Sequence, residues 1–174
     1  MADMLVKLYE LPPLQPALAA IAGHQIQVRP ARPGEERVIA PWIEHHFSES
    51  WSSCADYGIY RSPCSLFVAV RKEAPDPMRA NPYDLPPEQL AGFSCYDSSN
   101  KGMVGPMGVA PEFEGKGIGK ALLLTALHAM WAENYAYAVI GWAGPVDWYE
   151  RIAGASMIPG SAPGPFRGRL RGLA

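Results

Sequence analysis

The residues with the plainest chemical purpose run Val109-Ala110-Pro111-Glu112-Phe113-Glu114-Gly115-Lys116-Gly117-Ile118-Gly119-Lys120, followed at once by Ala121-Leu122-Leu123-Leu124. Glycines at alternating positions let a backbone approach a ligand closely and take angles that other residues avoid. The apolar run behind them predicts a helix, whose first turn has unpaired N–H groups and the positive end of the dipole. Lys116 and Lys120 add full charges nearby. A glycine-rich turn entering a helix is an anion site, best suited to phosphate. Two nucleotide patterns fail. A P-loop needs Gly-Lys followed by Ser or Thr, but Gly119-Lys120 precedes Ala121 and position 114 is Glu. The dinucleotide fingerprint Gly-x-Gly-x-x-Gly does not fit glycines at 115, 117 and 119.

The elements that must position this turn follow from periodicity. Met103–Val109 reads as extended, Gly117–Glu133 as a long helix and Tyr135–Trp142 as a strand, so the order strand, helix, strand implies a right-handed parallel crossover. Pro106 and two glycines inside the first of these strands predict an edge or a bulge, because proline cannot donate to a ladder. Pro145–Ala153 is expected as a short helix with Pro145 in its first turn. Upstream, the pattern predicts a strand at Leu5–Tyr9, a helix at Leu14–Ala22 and a strand at His24–Arg29. Val38, Ile39, Trp42, Ile43 and Phe47 lie at helical spacing, and Pro41 either kinks that helix or starts a fresh turn. A short helix at Ser48–Tyr57 and strands at Leu66–Arg71 and Gln89–Tyr96 complete the first half. Between those strands, Glu73–Pro87 holds five prolines and reads as an inserted loop, either plain surface or a flap. One more edge strand is expected near Phe166–Leu170.

Composition bounds the rest. The chain has 174 residues, of which 48% are hydrophobic and 18% charged, which suits one globular α/β domain and excludes a disordered chain. A net charge of −2 lacks the basic excess of a nucleic-acid binder. No run reaches the ~20 apolar residues of a membrane span, and the N-terminus has no signal-peptide pattern. Cys54, Cys64 and Cys95 are too scattered for a disulfide framework or zinc knuckle, which predicts a reducing, cytoplasmic setting.

In that context the turn resembles the signature of the GCN5-related N-acetyltransferases (GNAT), a strand ending Val-x-Pro and then (Arg/Gln)-x-x-Gly-x-(Gly/Ala) opening a helix. Val109 and Pro111 match its start, and Gly117 and Gly119 its end. Trp148-Tyr149-Glu150-Arg151, closed by Gly154-Ala155, is similar to the aromatic-Tyr-Glu-basic run of the family's later helix. The sequence departs from the pattern at Glu114, where Arg or Gln is usual, and at Gly144-Pro145-Val146, where an Asn is often found. The resemblance implies a mixed, mostly antiparallel twisted sheet with flanking helices and a central parallel β-α-β unit that binds acetyl-CoA. It implies one domain over 1–174, with 1–24 as an N-terminal extension and 73–87 as a loop insertion.

Site residues follow from the same resemblance. Met107, Gly108 and Val109 would meet the pantetheine arm, with an amide near Val109 facing the thioester carbonyl. Gly115, Lys116, Gly117, Ile118, Gly119 and Lys120 would cradle the pyrophosphate. Tyr149 is the catalytic residue, the acid that protonates the departing thiolate; its plain reading is an aromatic packed on Trp148. The implied activity is acetyl transfer to a primary amine of a small molecule or protein. The alternative is an inactive acyl-CoA-binding or sensing module. A plain interaction domain is a third class. The expected partners are acetyl-CoA and an amine, with no metal, nucleic acid or membrane, and a homodimer through the tail or an edge strand is compatible. Trp42, Phe47, Trp51 and Tyr57 with Glu44, Glu49 and Asp56 suit either an organic cation or core and surface. Asp97, Glu112 and Glu44 are open choices for a base or for holding a cationic amine, and spacing does not choose among them. Adjacent His45 and His46 point about 100° apart on a helix and cannot share a metal. Cys95 is expected to be a small buried residue and His128 a partly exposed one.

Overall fold

The computed structural model describes residues 1–72 and 88–166. The described chain forms strands β1 (Met4–Lys7), β2 (Ile26–Pro30), β3 (Leu66–Lys72), β4 (Glu88–Tyr96), β5 (Met103–Val109), β6 (Tyr137–Ile140) and β7 (Ser156–Met157). The helices are α1 (Gln15–Ala22), α2 (Glu36–His46), α3 (Glu49–Tyr60), α4 (Ile118–Ala132) and α5 (Val146–Ala153). Among the described residues the strands form one sheet in the order β2-β3-β4-β5-β6-β1-β7. Every pairing is antiparallel except β5 with β6, the parallel pair that α4 connects.

Both faces of the sheet are covered, which explains the unbroken apolar run of β3. Leu66, Val68 and Val70 pack with Ile39 and Ile43 of α2 and Ala55 and Ile59 of α3. Phe67 and Ala69, pointing the other way, join the core of α1 and α4. Helix α4 is apolar nearly all round because it is buried nearly all round; Leu122, Leu123, Leu124 and Leu127 are fully covered. Each such side chain contributes roughly 1.5–3 kcal/mol of burial free energy. The helix stops in a Schellman arrangement: Asn134 takes φ +68°, its N–H reaches Trp131 O at 3.0 Å, and the Tyr135 N–H reaches Met130 O at 3.1 Å.

Several expectations are adjusted. The first strand ends at Lys7 in a 3-10 turn over Leu8–Glu10. Residues 1–24 are built into the fold, since β1 pairs with β6 and β7 and buries Met4 and Val6, while α1 packs on α4. Helix α2 runs through Pro41 without a restart; Pro41 is exposed, so the carbonyl it leaves unserved is on the solvent side. Strand β6 is shorter than Tyr135–Trp142, because Trp142 turns to φ +49° and gives its N–H to buried Asp3 at 3.0 Å. Pro145 caps α5 from outside instead of opening its first turn. The loop at 73–87 lies outside the described residues. So does the tail strand expected near Phe166–Leu170, apart from Phe166, which closes a 3-10 turn over Gly164–Phe166.

Candidate active site

The site begins with a strand that leaves its neighbour. Only Met103 and Val104 of β5 pair with β6, opposite Val139 and Ile140. On its other edge β5 stays with β4, but the register runs from Ser94↔Met107 to Tyr96↔Val104, which inserts one extra residue in β5. The bulge falls at Gly105-Pro106, with Gly105 at φ +110°, where the sequence places a glycine and a residue that cannot donate. Beyond it, Met107–Val109 remain paired on one side only. The Ala110 N–H reaches Ala91 O in β4 at 3.0 Å. Donors alternate sides along an extended strand, so the Val109 N–H points the other way, into the opening beside β6.

The glycine turn follows. A 3-10 turn at Pro111–Phe113 leads to Gly115 at φ +75° and Gly117 at φ +82°, left-handed angles that an L side chain resists. Gly117 is the N-cap of α4 and provides no side-chain cap; the first helical bond into it comes from the Ala121 N–H at 3.1 Å. The N–H groups of Ile118, Gly119 and Lys120 therefore have no helical partner and face the turn. Glu114 is exposed. The Lys116 ammonium donates to Glu112 O at 2.8 Å and stands 5.6 Å from the Phe113 ring, so its charge is held at the turn, while Lys120 is exposed.

Strand, turn and α5 meet at one corner. A Cβ on Gly119 would lie 3.7 Å from the Trp148 ring, 3.8 Å from Val109 and 3.9 Å from Met107. Trp148 packs edge-on against Tyr149 with ring centroids 4.9 Å apart. Burial raises the Tyr149 phenol above its ordinary value of 10.0, so it keeps its proton through the neutral range. The structure thus brings Met107, Val109, Gly119 and Trp148 together, with Tyr149 packed against Trp148 and with Gly115, Gly117 and Ile118 in the adjoining turn.

The remaining candidates separate. Asp97 is not placed as a base, since it is buried in a polar network at the other end of β4. Its carboxylate accepts from Arg61 at 3.0 Å, from the Tyr135 hydroxyl at 2.6 Å and from the Gly102 N–H at 2.7 Å. Glu112 and Glu44 are exposed. Cys95 is buried, which pushes its thiol up and makes it inert. His128 is half-buried, its Nε2 2.9 Å from Pro12 O. Among the described residues no group of His, Cys, Asp and Glu could hold a metal, and no helix is long and apolar enough to cross a membrane. A hollow of about 590 Å³, lined by Arg29, Glu35, Val68, Lys72, Glu88 and neighbours, lies over β2, β3 and β4. Arg29 there is held by Glu35 and Glu88 at 2.7 and 2.6 Å, and the free strand amides lie elsewhere, along β5.

One contact joins residues far apart in the sequence and went unforeseen in it. Gly108, opposite Phe93, leaves room for the ring of Phe47, which a Cβ at that position would overlap. Trp42, Phe47 and Trp51 cluster as a group with Phe93, and Tyr57 is exposed on α3.

A splayed parallel pair beside a glycine-capped helix defines the architecture of this corner. The chain belongs to the acetyltransferase (GNAT) family, whose model matches residues 38–154. A GCN5-related glucosamine N-acetyltransferase region of a fungal multi-domain beta-N-acetylglucosaminidase superposes with TM-score 0.67 at 14% identity, covering 90% of this chain and 19% of that one. A GCN5-related N-acetyltransferase from Sphaerobacter thermophilus gives 0.61 at 20% identity, over 90% and 48%. A GNAT family acetyltransferase from Brucella melitensis, in complex with acetyl-CoA, gives 0.52 at 19% identity, over 78% and 88%. The chain thus spans less than half the length of the first two. At these identities the likeness is one of fold. Among curated proteins, none matches the sequence.

Proposed function

We propose that the chain, as a single domain over 1–174, is an acetyl-CoA-dependent N-acetyltransferase that moves the acetyl group directly to a primary amine in a ternary complex. The observation that carries this reading is the edge of β5 that loses β6 beyond Val104, next to a helix start without a side-chain cap. Acetyl-CoA brings an activated thioester; the chain holds and polarises it. The exposed main chain of Met107, Gly108 and Val109 would pair with the pantetheine amides as an added strand. The donors of Gly115–Lys120 would take the pyrophosphate. The Val109 N–H stabilises the negative charge on the carbonyl oxygen as the amine attacks, and Tyr149 gives its proton to the thiolate as the C–S bond breaks.

Family membership and the acetyl-CoA held by the Brucella protein support this assignment. A second reading, a weak or inactive acyl-CoA sensor, draws on Glu114, whose exposed carboxylate stands where the family pattern has Arg or Gln. Two measurements on the full chain test the proposal: calorimetry with coenzyme A, and thiol release from acetyl-CoA with a panel of amines. Binding with amine-dependent thiol release is the expected outcome. Binding without release would favour the sensor, and no binding would overturn both.

A further inference from the structure

On the face of the sheet covered by α2 and α3, an aromatic wall rises from the β5 main chain to the surface. Its lowest ring is Phe47, at the junction of the two helices, seated against Gly108, one residue before Val109. Trp51 stacks on Phe47 with centroids 5.5 Å apart and planes 24° apart. Phe93 stands 5.6 Å from Phe47, and Trp42 5.9 Å. Trp42 in turn stacks on His46 at 4.4 Å, and the His46 Nδ1–H donates to Trp42 O at 2.9 Å, which fixes that ring. Phe93 is fully buried whereas Trp51 is 37% exposed, so the wall grades from core to water.

We propose that this wall is the acceptor site and that the acceptor is an arylalkylamine, a primary amine on a short arm from a flat aromatic ring; the proposal rests on the transferase reading above. A ring inserted beside Trp51 extends an offset stack that already exists, and a short arm then carries its amine past Phe47 toward the edge of β5 at Val109. The exposed part of Trp51 also attracts the ammonium form on approach. None of the ion pairs among the described residues involves a wall residue, and the nearby acids Glu44 and Glu49 are exposed on the helices. That lining does not match a polyamine or an amino sugar, whose many charges or hydroxyls would be left unpartnered against rings. The ammonium loses one proton to water before attack. The N–C bond forms as the C–S bond breaks, the thiolate takes the Tyr149 proton, and the amide nitrogen's second proton restores the phenol. One proton is released per turnover.

The experiment measures thiol release from acetyl-CoA with 2-phenylethylamine, spermidine, glucosamine and a lysine peptide, on the wild type and two variants. We expect 2-phenylethylamine to exceed the others in kcat/KM by about tenfold or more, the scale of one good ring contact. Trp51→Ala, at the exposed rim, is expected to raise KM for 2-phenylethylamine about tenfold with kcat within about threefold, and Trp51→Phe to restore most of it. An amino sugar, polyamine or peptide as the best acceptor overturns the proposal, as does a KM that ignores Trp51→Ala. Coenzyme A calorimetry on the same samples separates the two levels. Lost coenzyme binding in the wild type defeats the transferase reading and this inference together, whereas intact binding with another preferred amine defeats this inference alone.

Discussion

The two ends of β4, β5 and α4 are finished in opposite ways. At one end side chains close everything: Arg61, after α3, bonds Glu133 at 2.6 Å and Asp97 at 3.0 Å, and its guanidinium covers the Tyr96 ring at 5.0 Å. The Tyr96 hydroxyl donates to Glu133, and Tyr135 to Asp97. At the other end almost nothing is closed. Val109 turns its N–H away from β4, α4 starts on a glycine without a side-chain cap, and β5 has lost its β6 partner beyond Val104. Unpaired main-chain donors are unfavourable unless water or a ligand takes them, so such an opening persists only on a scaffold fixed elsewhere. The ion network supplies that fixed point at the far ends of β4 and α4. The difference predicts a division of labour: substitutions at the closed end change stability, and those at the open end change binding and rate.

The largest expected effect is at the open end. Tyr149→Phe removes one hydroxyl and almost no volume, so Trp148 packing should survive. Turnover should fall by roughly 10²–10⁴ with coenzyme affinity unchanged, because a general acid acts in the transition state alone. Steady-state kinetics and calorimetry on one variant check both halves. Equal loss of binding and rate would mean that Tyr149 only packs.

Next comes the closed end. Arg61→Ala leaves the Asp97 carboxylate, whose side chain is 2% exposed, without its cation. The expected cost is about 3 kcal/mol, the low end for a broken buried pair, since Arg61 itself keeps 17% side-chain exposure. Urea unfolding measures it, and coenzyme affinity below the transition should stay put. The same network sets an acid limit. The hydrogen bond from Arg61 holds the Glu133 carboxyl below its ordinary value of 4.5, so its contribution is complete above that pH and is lost as pH falls through the lower folded value. Stability of the wild type should therefore decline below about pH 4.5, and less steeply in Arg61→Ala.

A smaller effect is expected at Gly117. Its φ of +82° suits glycine, and a Cβ there would meet only Ile21 at 3.9 Å, so the position is open but conformationally closed to other residues. Gly117→Val forces a β-branched residue into a left-handed cap at about 1–2 kcal/mol or shifts the turn. Either way the donors of Ile118–Lys120 move, and coenzyme affinity should drop about tenfold, the equivalent of 1.4 kcal/mol. An unchanged affinity in a folded variant would remove the turn from the site.

The open end was far more legible in the sequence than the closed one. Alternating glycines, Pro106 inside an extended run and the apolar stretch from Ala121 are local signals, and each lies within a few residues of what it controls. The network is not local: Arg61 and Glu133 are 72 positions apart, and Asp97 read as a free acid because nothing nearby in sequence announces its partners. The same holds for β1, whose register partner for Met4 is Ile140, and for Phe47, which meets a glycine in a strand from the other half of the chain. Glycine is silent about what fills the space it leaves. Pairings that depend on two distant elements arriving together are set by the sheet order, which periodicity alone does not specify.

The smallest effect belongs to Glu114, a residue at the open end whose charge opposes the ligand proposed there. It is exposed, and the donors that matter are main-chain groups of the residues after it. A solvated carboxylate acts on a pyrophosphate only through water and salt, which screen it within about 8–10 Å at ordinary ionic strength. Glu114→Arg reverses the charge without touching those donors, so coenzyme affinity should rise by a factor of about 2–5, in keeping with exposed charges near a helix start. The gain should shrink as salt is raised, because screening weakens a surface term and leaves hydrogen bonds from the turn intact. Calorimetry at two salt concentrations makes the distinction. A gain well above tenfold that persists in high salt would mean that the carboxylate faces the ligand directly, and the open end would then be governed by a side chain, as the closed end is.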